Sequence, residues 1–253
     1  MSRGSRYSGM VMAAFAMILA GSGGSAEPAS SAPQDPAPAG EGIIRGKVVF
    51  DGKVPKDRKI SLEGDKYCSG ARPEGLMSEF YKVGANGAVQ NVFVYVKKGL
   101  EGAKFETPKE AVVLDQQGCR YEPHVFGLMA GQDLKIRNSD DTMHNVHALS
   151  QINAEINLGQ ARKGDETVKT FAQAEVMVKI KCDVHGWMSS YAGVLTHPYF
   201  KVTGEDGTFQ FPAGLKPGDY VIEAWHEKFG TLTQAVKIGG VPAPELTFTF
   251  KGK

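Results

Sequence analysis

The residues best suited to chemistry lie close together in Cys182-Asp183-Val184-His185-Gly186-Trp187-Met188. A thiol, an imidazole and a thioether follow one another, with two residues between each pair. A short loop of that spacing can turn all three donors towards one point. Soft thiolate and imidazole together select copper or zinc over magnesium or calcium. Zinc prefers a tighter fourth donor than a thioether, so Met188 tips the choice towards copper. A second imidazole would complete two His, one Cys and one weak axial Met, the donor set of blue-copper electron-transfer sites. Met143-His144-Asn145-Val146-His147 offers two candidates. His144 and His147 differ in strand parity, so at most one of them faces this site.

The donors need elements to hold them. Val176-Met177-Val178-Lys179-Ile180-Lys181-Cys182 alternates, which puts Val176, Val178, Ile180 and Cys182 on one inward face of a strand. Asp133 to Asn138 alternates as well, with Leu134 and Ile136 sharing a face. Val89 to Val96 is dense in β-branched and aromatic residues, the composition of a strand buried on both faces. After Pro198, short strands (Thr208 to Phe211, Tyr220 to Trp225, Ala235 to Ile238, Leu246 to Phe250) alternate with turns at Gly204 to Gly207 and Leu215 to Asp219. With 31 Gly, 13 Pro and few helical patterns, the chain is expected to be all-β and antiparallel.

Segments of this chain resemble the cupredoxin family, nearest its amicyanin and plastocyanin branch. They are Tyr121-Glu122-Pro123, Gly131 to Asp140, His144-Asn145, Gly164 to Thr167, and the strand into the Cys182 loop. About 90 of the 253 residues carry the likeness. It implies a Greek-key β-sandwich holding one type 1 copper ion through His144, Cys182, His185 and Met188. Asn145 would tie the His144 segment to the Cys182 loop. The family often has Pro after the second histidine; Gly186 stands here. The flanks resemble the transthyretin-like, carboxypeptidase-regulatory type of sandwich: Gly46-Lys47-Val48 with Asp51-Gly52, Val89 to Val96, Thr203 to Phe209, and Pro217 to Tyr220. That second likeness is interrupted by the copper block. One reading inserts the copper sandwich (104–196) between two parts of the flanking one (43–103 and 197–253). The other sets two domains in succession.

The N-terminus reads as an export signal. Arg3 and Arg6 precede eleven apolar residues, Met10 to Ala20, and Gly24-Ser25-Ala26 suits cleavage, giving a signal peptide over 1–26. The run is too short to span a bilayer. Residues 27–42 form a Pro/Ala-rich linker. Removing 1–26 takes away Arg3 and Arg6 and no acid, so the net charge moves from +1 to −1. That balance argues against a nucleic-acid partner. The expected location is periplasmic or secreted. There the odd cysteine count admits a Cys68–Cys119 disulfide with Cys182 left for metal; the alternative is that Cys68 and Cys119 are buried thiols.

Together these features imply a one-electron carrier and not an enzyme. His185 is expected to be the ligand edge nearest solvent, and a redox partner to dock near His185 and Trp187. The competing readings are a copper chaperone or storage module, and a cell-surface interaction protein with a secondary copper site. Only six His occur and none forms a His-x-His pair, against a multicopper oxidase. His124 and Met129 could add a contact, His226 is expected to be packed, and Asp140-Asp141 to be a solvated turn.

Overall fold

The computed structural model describes residues 42–239 and 245–252. The signal peptide and all but the last residue of the linker read from the sequence lie outside them. The first stretch holds β1 (Arg45–Asp51), β2 (Lys59–Ile60), α1 (Lys66–Ala71), β3 (Leu76–Met77) and β4 (Phe93–Lys98). The middle holds β5 (Val112–Gln116), β6 (Tyr121–Glu122), β7 (Val125–Met129), β8 (Asp133–Asn138), β9 (His144–Ala148), β10 (Ile156–Gln160), β11 (Glu166–Thr170), β12 (Glu175–Lys181) and β13 (Ser189–Leu195). The last stretch holds β14 (Phe200–Val202), β15 (Thr208–Gln210), β16 (Gly218–His226), β17 (Gly230–Ile238) and β18 (Glu245–Lys251). The fold is all-β as expected, but not wholly antiparallel: β1 with β18, β5 with β8 and β7 with β13 run parallel, because these neighbours are not joined by hairpins.

Two pairs of sheets enclose two cores. In the first, β15-β1-β18 faces β14-β4-β16-β17. β1 runs parallel to β18 over seven residues, and both alternate exposed and buried positions. Val48, Phe50, Phe248 and Phe250 therefore meet Val94, Val96, Ile222 and Ala224 in one core. In the second, β10-β9-β12-β13-β7 faces β11-β8-β5-β6, around Leu114, Leu128, Ile136, Val146, Ile180 and Val194. The strands from β5 to β13 pair only among themselves, whereas β1 and β4 pair with strands that come after β13.

β4 is buried on both faces, as its composition suggests. Val94 and Val96 enter the first core, while Phe93 and Tyr95 pack with Val125 and Leu195 of the second sandwich. Phe93 is fully buried, a burial worth about 1.5–3 kcal/mol. Its ring fits because Gly193 offers no side chain: a Cβ there would lie 2.3 Å from the ring edge. The strand begins at Phe93 instead of Val89, because Asn91 takes a positive φ of 61°.

The inward alternation expected from Val176 onward is corrected at its first residue. Val176 is 41% exposed, while Val178, Ile180 and Cys182 are buried. A register shift between Glu175 and Val178, with Met177 at φ 62°, adds a residue and turns Val176 outward.

Candidate metal centre

β9 and β12 bring the donors together. Ile180 pairs antiparallel with Ala148 and Lys181 with His147, so the end of β12 lies beside the end of β9 and the loop that follows runs back towards His144 at its start. Val146 and Ala148 point into the second core, and His144, on their side of the strand, is fully buried. His147 takes the other face, where its two ring nitrogens meet Asp183 at 2.9 Å and Glu155 at 2.6 Å. The parity choice left open by the sequence is thus made by burial.

The loop after β12 closes on itself. Met188 N–H donates to the His185 carbonyl at 2.9 Å, and Cys182 N–H to the Met188 carbonyl at 3.3 Å. The Cys182 sulfur accepts N–H bonds from His185 at 3.3 Å and from Asn145 at 3.4 Å. The Asn145 side chain accepts from Asp183 N–H at 3.1 Å and donates to Asn157 at 2.8 Å, which stitches the two segments together. Met188 is buried against the same core as Cys182.

His144 Nδ1 lies 2.9 Å from His185 Nδ1, and His185 Nδ1 lies 3.9 Å from Cys182 Sγ. The three donor atoms fall within 4.8 Å of one another, all buried. With bonds of about 2.0–2.3 Å, donors sharing one ion sit roughly 3–4 Å apart, so the residues present fit a single thiolate-and-imidazole-bound ion.

The outer nitrogens are also held. His144 Nε2 is 2.9 Å from Asp140 Oδ2, and His185 Nε2 is 3.1 Å from Asp65 Oδ2. A carboxylate accepts only, so each Nε2 carries the proton and each Nδ1 is turned inward. With both outer nitrogens so held, the two Nδ1 atoms, 2.9 Å apart, are the ones free to take an ion.

Charge follows from these contacts. Burial pushes the His144 imidazole down, but bonding to Asp140 and Cys182 outweighs it and the group is net raised. Burial pushes the Cys182 thiol up, yet His144 and the loop N–H groups bring it below its ordinary value. The Asp140 carboxyl is also held low: its desolvation is more than offset by His144 and by the N–H groups of Cys119 and Gly118. A soft cation bound there would take the place of the protons on the Cys182 sulfur and on His144 Nδ1.

Two sequence expectations are corrected here. His185 is 2% exposed, not a solvent-facing edge. The segment carrying β2, α1 and β3 covers it, with Leu62, Cys68 and Leu76 packed on Cys119 and against Trp187. Asp140 is no solvated turn residue: it is 3% exposed and ties His144 to the Cys119 segment, while Asp141 is exposed. Asp65 had no role in the sequence reading. Its position just before a short helix was legible as a cap, but its partner lies 120 residues away.

Cys68 and Cys119 form a disulfide, with Cα atoms 5.8 Å apart, and Cys182 is free. His124 sits apart from the centre, bonded to Ser189 at 3.0 Å and Glu227 at 2.5 Å. His226 is buried and stacked on Phe229, 4.3 Å between ring centres. Among the described residues, no helix is long and apolar enough to cross a membrane.

No protein-family model and no curated protein matches the chain. Among solved structures, it is similar to the Cu-containing nitrite reductase NirK from Thermus scotoductus SA-01, at 19% identity and a TM-score of 0.32. That alignment covers 37% of this chain and only 24% of the reductase. An oxidized proline-to-glycine mutant of amicyanin aligns at 22% identity over 40% of this chain and 97% of its own, with a TM-score of 0.31. A Cu(I) methionine-to-glutamine mutant of amicyanin aligns at 23% identity over 33% and 81%, with a TM-score of 0.30.

Proposed function

We propose that this chain is an exported cupredoxin-like protein that binds one copper ion and carries single electrons between redox partners. His144, Cys182 and His185 would hold the ion, with Met188 as the weak axial donor. The observation that carries this reading is the convergence of two Nδ1 atoms and one thiolate in a buried pocket, each imidazole backed by a carboxylate. Copper supplies the one-electron couple. The chain keeps water off the donors and fixes both imidazoles by their outer nitrogens. The two backbone N–H groups on the sulfur stabilise its charge, and Asn145 keeps the two ligand segments in register. A site so enclosed changes shape little between charge states, which suits electron transfer. Delivery of the metal to an acceptor asks for exposed ligands, so the burial of all three donors weighs against a chaperone.

The approach to the ion is inferred to run beside Trp187. A cleft of about 480 Å³ reaches Cys182 and Met188; its charged rim holds Arg58, Lys179, Lys181 and Lys228 against Asp183, paired with Lys181, and Glu227, paired with Lys228, leaving a net positive rim. Its rim fits a redox partner with an acidic face. The nesting of the copper sandwich between β4 and β14 is part of the same proposal, supported by the pairing of β1 and β4 with strands beyond β13. Export to the periplasm or medium is supported by the N-terminal pattern and by a disulfide in the described chain.

The test is the absorption and paramagnetic resonance of the protein titrated with Cu(II). One equivalent should give an intense visible sulfur-to-copper band and narrow hyperfine splitting, both lost in Cys182→Ser. A colourless Cu(II) form with ordinary splitting, or copper surrendered at once to a weak chelator, refutes the electron-carrier reading. Replacing Lys179 and Lys181 by Glu should slow reduction by an acidic donor protein and flatten its dependence on ionic strength. An unchanged salt slope moves the docking face elsewhere.

A further inference from the structure

We infer that Asp65 is a positioning residue of the metal centre, supplied by a segment outside the sandwich that carries the ligands and fixed there by the Cys68–Cys119 disulfide. This rests on the copper-binding reading above. Asp65 divides its two oxygens between two tasks. Oδ1 accepts the Cys68 N–H at 2.7 Å, capping α1, and Oδ2 meets His185 Nε2 at 3.1 Å. The capping bond ties the carboxylate to the half-cystine three residues on, whose sulfur lies 3.9 Å from the same Nε2. Across the bridge, Cys119 donates its N–H to Asp140 Oδ2 at 2.7 Å and accepts Trp187 Nε1 at 3.1 Å. Tyr67 OH reaches Asp140 Oδ1 at 3.3 Å. One disulfide therefore joins the two carboxylates that hold the outer nitrogens of both imidazoles.

The chemical consequence lies at His185. A carboxylate at Nε2 fixes the proton there, leaves Nδ1 free for an ion and makes the imidazole a stronger donor. A stronger, negatively backed donor favours the more highly charged Cu(II) over Cu(I). Asp65 thereby lowers the reduction potential and slows metal loss.

Asp65→Asn and Asp65→Ser separate this role from the structural one, because Asn and Ser cap helices about as well as Asp. In metal-free protein labelled with ¹⁵N at histidine, wild type should show His185 protonated at Nε2. Both variants should show loss of that preference with thermal unfolding little changed. In copper-loaded protein, each variant should favour Cu(I) about tenfold more than wild type, a rise of about 59 mV. The Cys68→Ser/Cys119→Ser pair should move the potential in the same direction. Variants with the wild-type tautomer and an unshifted potential overturn the inference. If wild type itself shows no sulfur-to-copper band, the copper reading fails, while the tautomer measurement still decides what Asp65 does to His185.

Discussion

Asp140→Asn tests how much the centre depends on its buried carboxylate. Asp140 accepts four bonds: Gly118 N–H and Tyr67 OH on Oδ1, at 2.7 and 3.3 Å, and Cys119 N–H and His144 Nε2 on Oδ2, at 2.7 and 2.9 Å. An amide keeps one accepting oxygen. With the amide nitrogen at the Oδ1 position it faces Gly118 N–H, and at the Oδ2 position it faces both Cys119 N–H and His144 Nε2–H. Either way a buried backbone donor points at another donor. A bond to a charged group is worth about 1.5–3 kcal/mol, and an unpaired buried donor adds its own desolvation cost. The metal-free variant should therefore lose about 3 kcal/mol, a large share of a typical stability of about 5–15 kcal/mol. His144 also loses its orienting acceptor, so copper should bind roughly 10–100-fold more weakly. Guanidinium unfolding of the metal-free protein, followed by tryptophan fluorescence, gives the first quantity; competition against a chelator of known affinity gives the second. A stability change within about 0.5 kcal/mol, the usual range of a surface substitution, with unaltered copper affinity, would refute the assigned role.

His226 should govern much of the acid limb of stability. Burial holds it down from 6.5 to about 4, and its Nδ1 accepts N–H bonds from Lys228 and Phe229, both at 3.2 Å. The folded protein thus keeps it neutral while the unfolded chain protonates near 6.5. Stability is lost as pH falls from 6.5 towards 4, about 3 kcal/mol in all at about 1.36 kcal/mol per pH unit. His226→Gln keeps an acceptor and removes the titration, so the difference between wild type and variant should shrink with falling pH; parallel acid limbs would sink this. Gly193→Ala should cost about 1–3 kcal/mol by overpacking, since its Cβ would lie 2.3 Å from the Phe93 ring. Phe93→Leu added to it should recover part of that loss in the same unfolding assay, and a neutral Gly193→Ala would show that the two sandwiches adjust freely at this seam.

Local pattern carried much of this protein. The spacing of Cys182, His185 and Met188 marks a soft-metal loop because ligand chemistry is written in residue type. The period of two in β8 and β12 marks sheets because each strand must bury one face. The turn at Gly204 to Gly207 is equally local, closed by Gly207 N–H on the Gly204 carbonyl at 3.0 Å. Parity could separate His144 from His147 but could not say which faced the core; the register of β9 against β12 decided that. It also failed at Val176, where one inserted residue reversed a face. The carboxylates were beyond its reach. Asp65 and Asp140 are hydrophilic residues near turns, and such residues are usually solvated. Here both meet imidazoles: Asp140 reaches His144 within its own sandwich, and Asp65 reaches His185 because a segment belonging by sequence to the flanking sandwich folds over the loop and is bonded to it through Cys68 and Cys119. The sequence by itself determined which atoms could bind a metal. Only the tertiary structure decided which nitrogens face inward, what holds them, and that His185 is covered, because contacts across 120 residues leave no periodic trace in the chain.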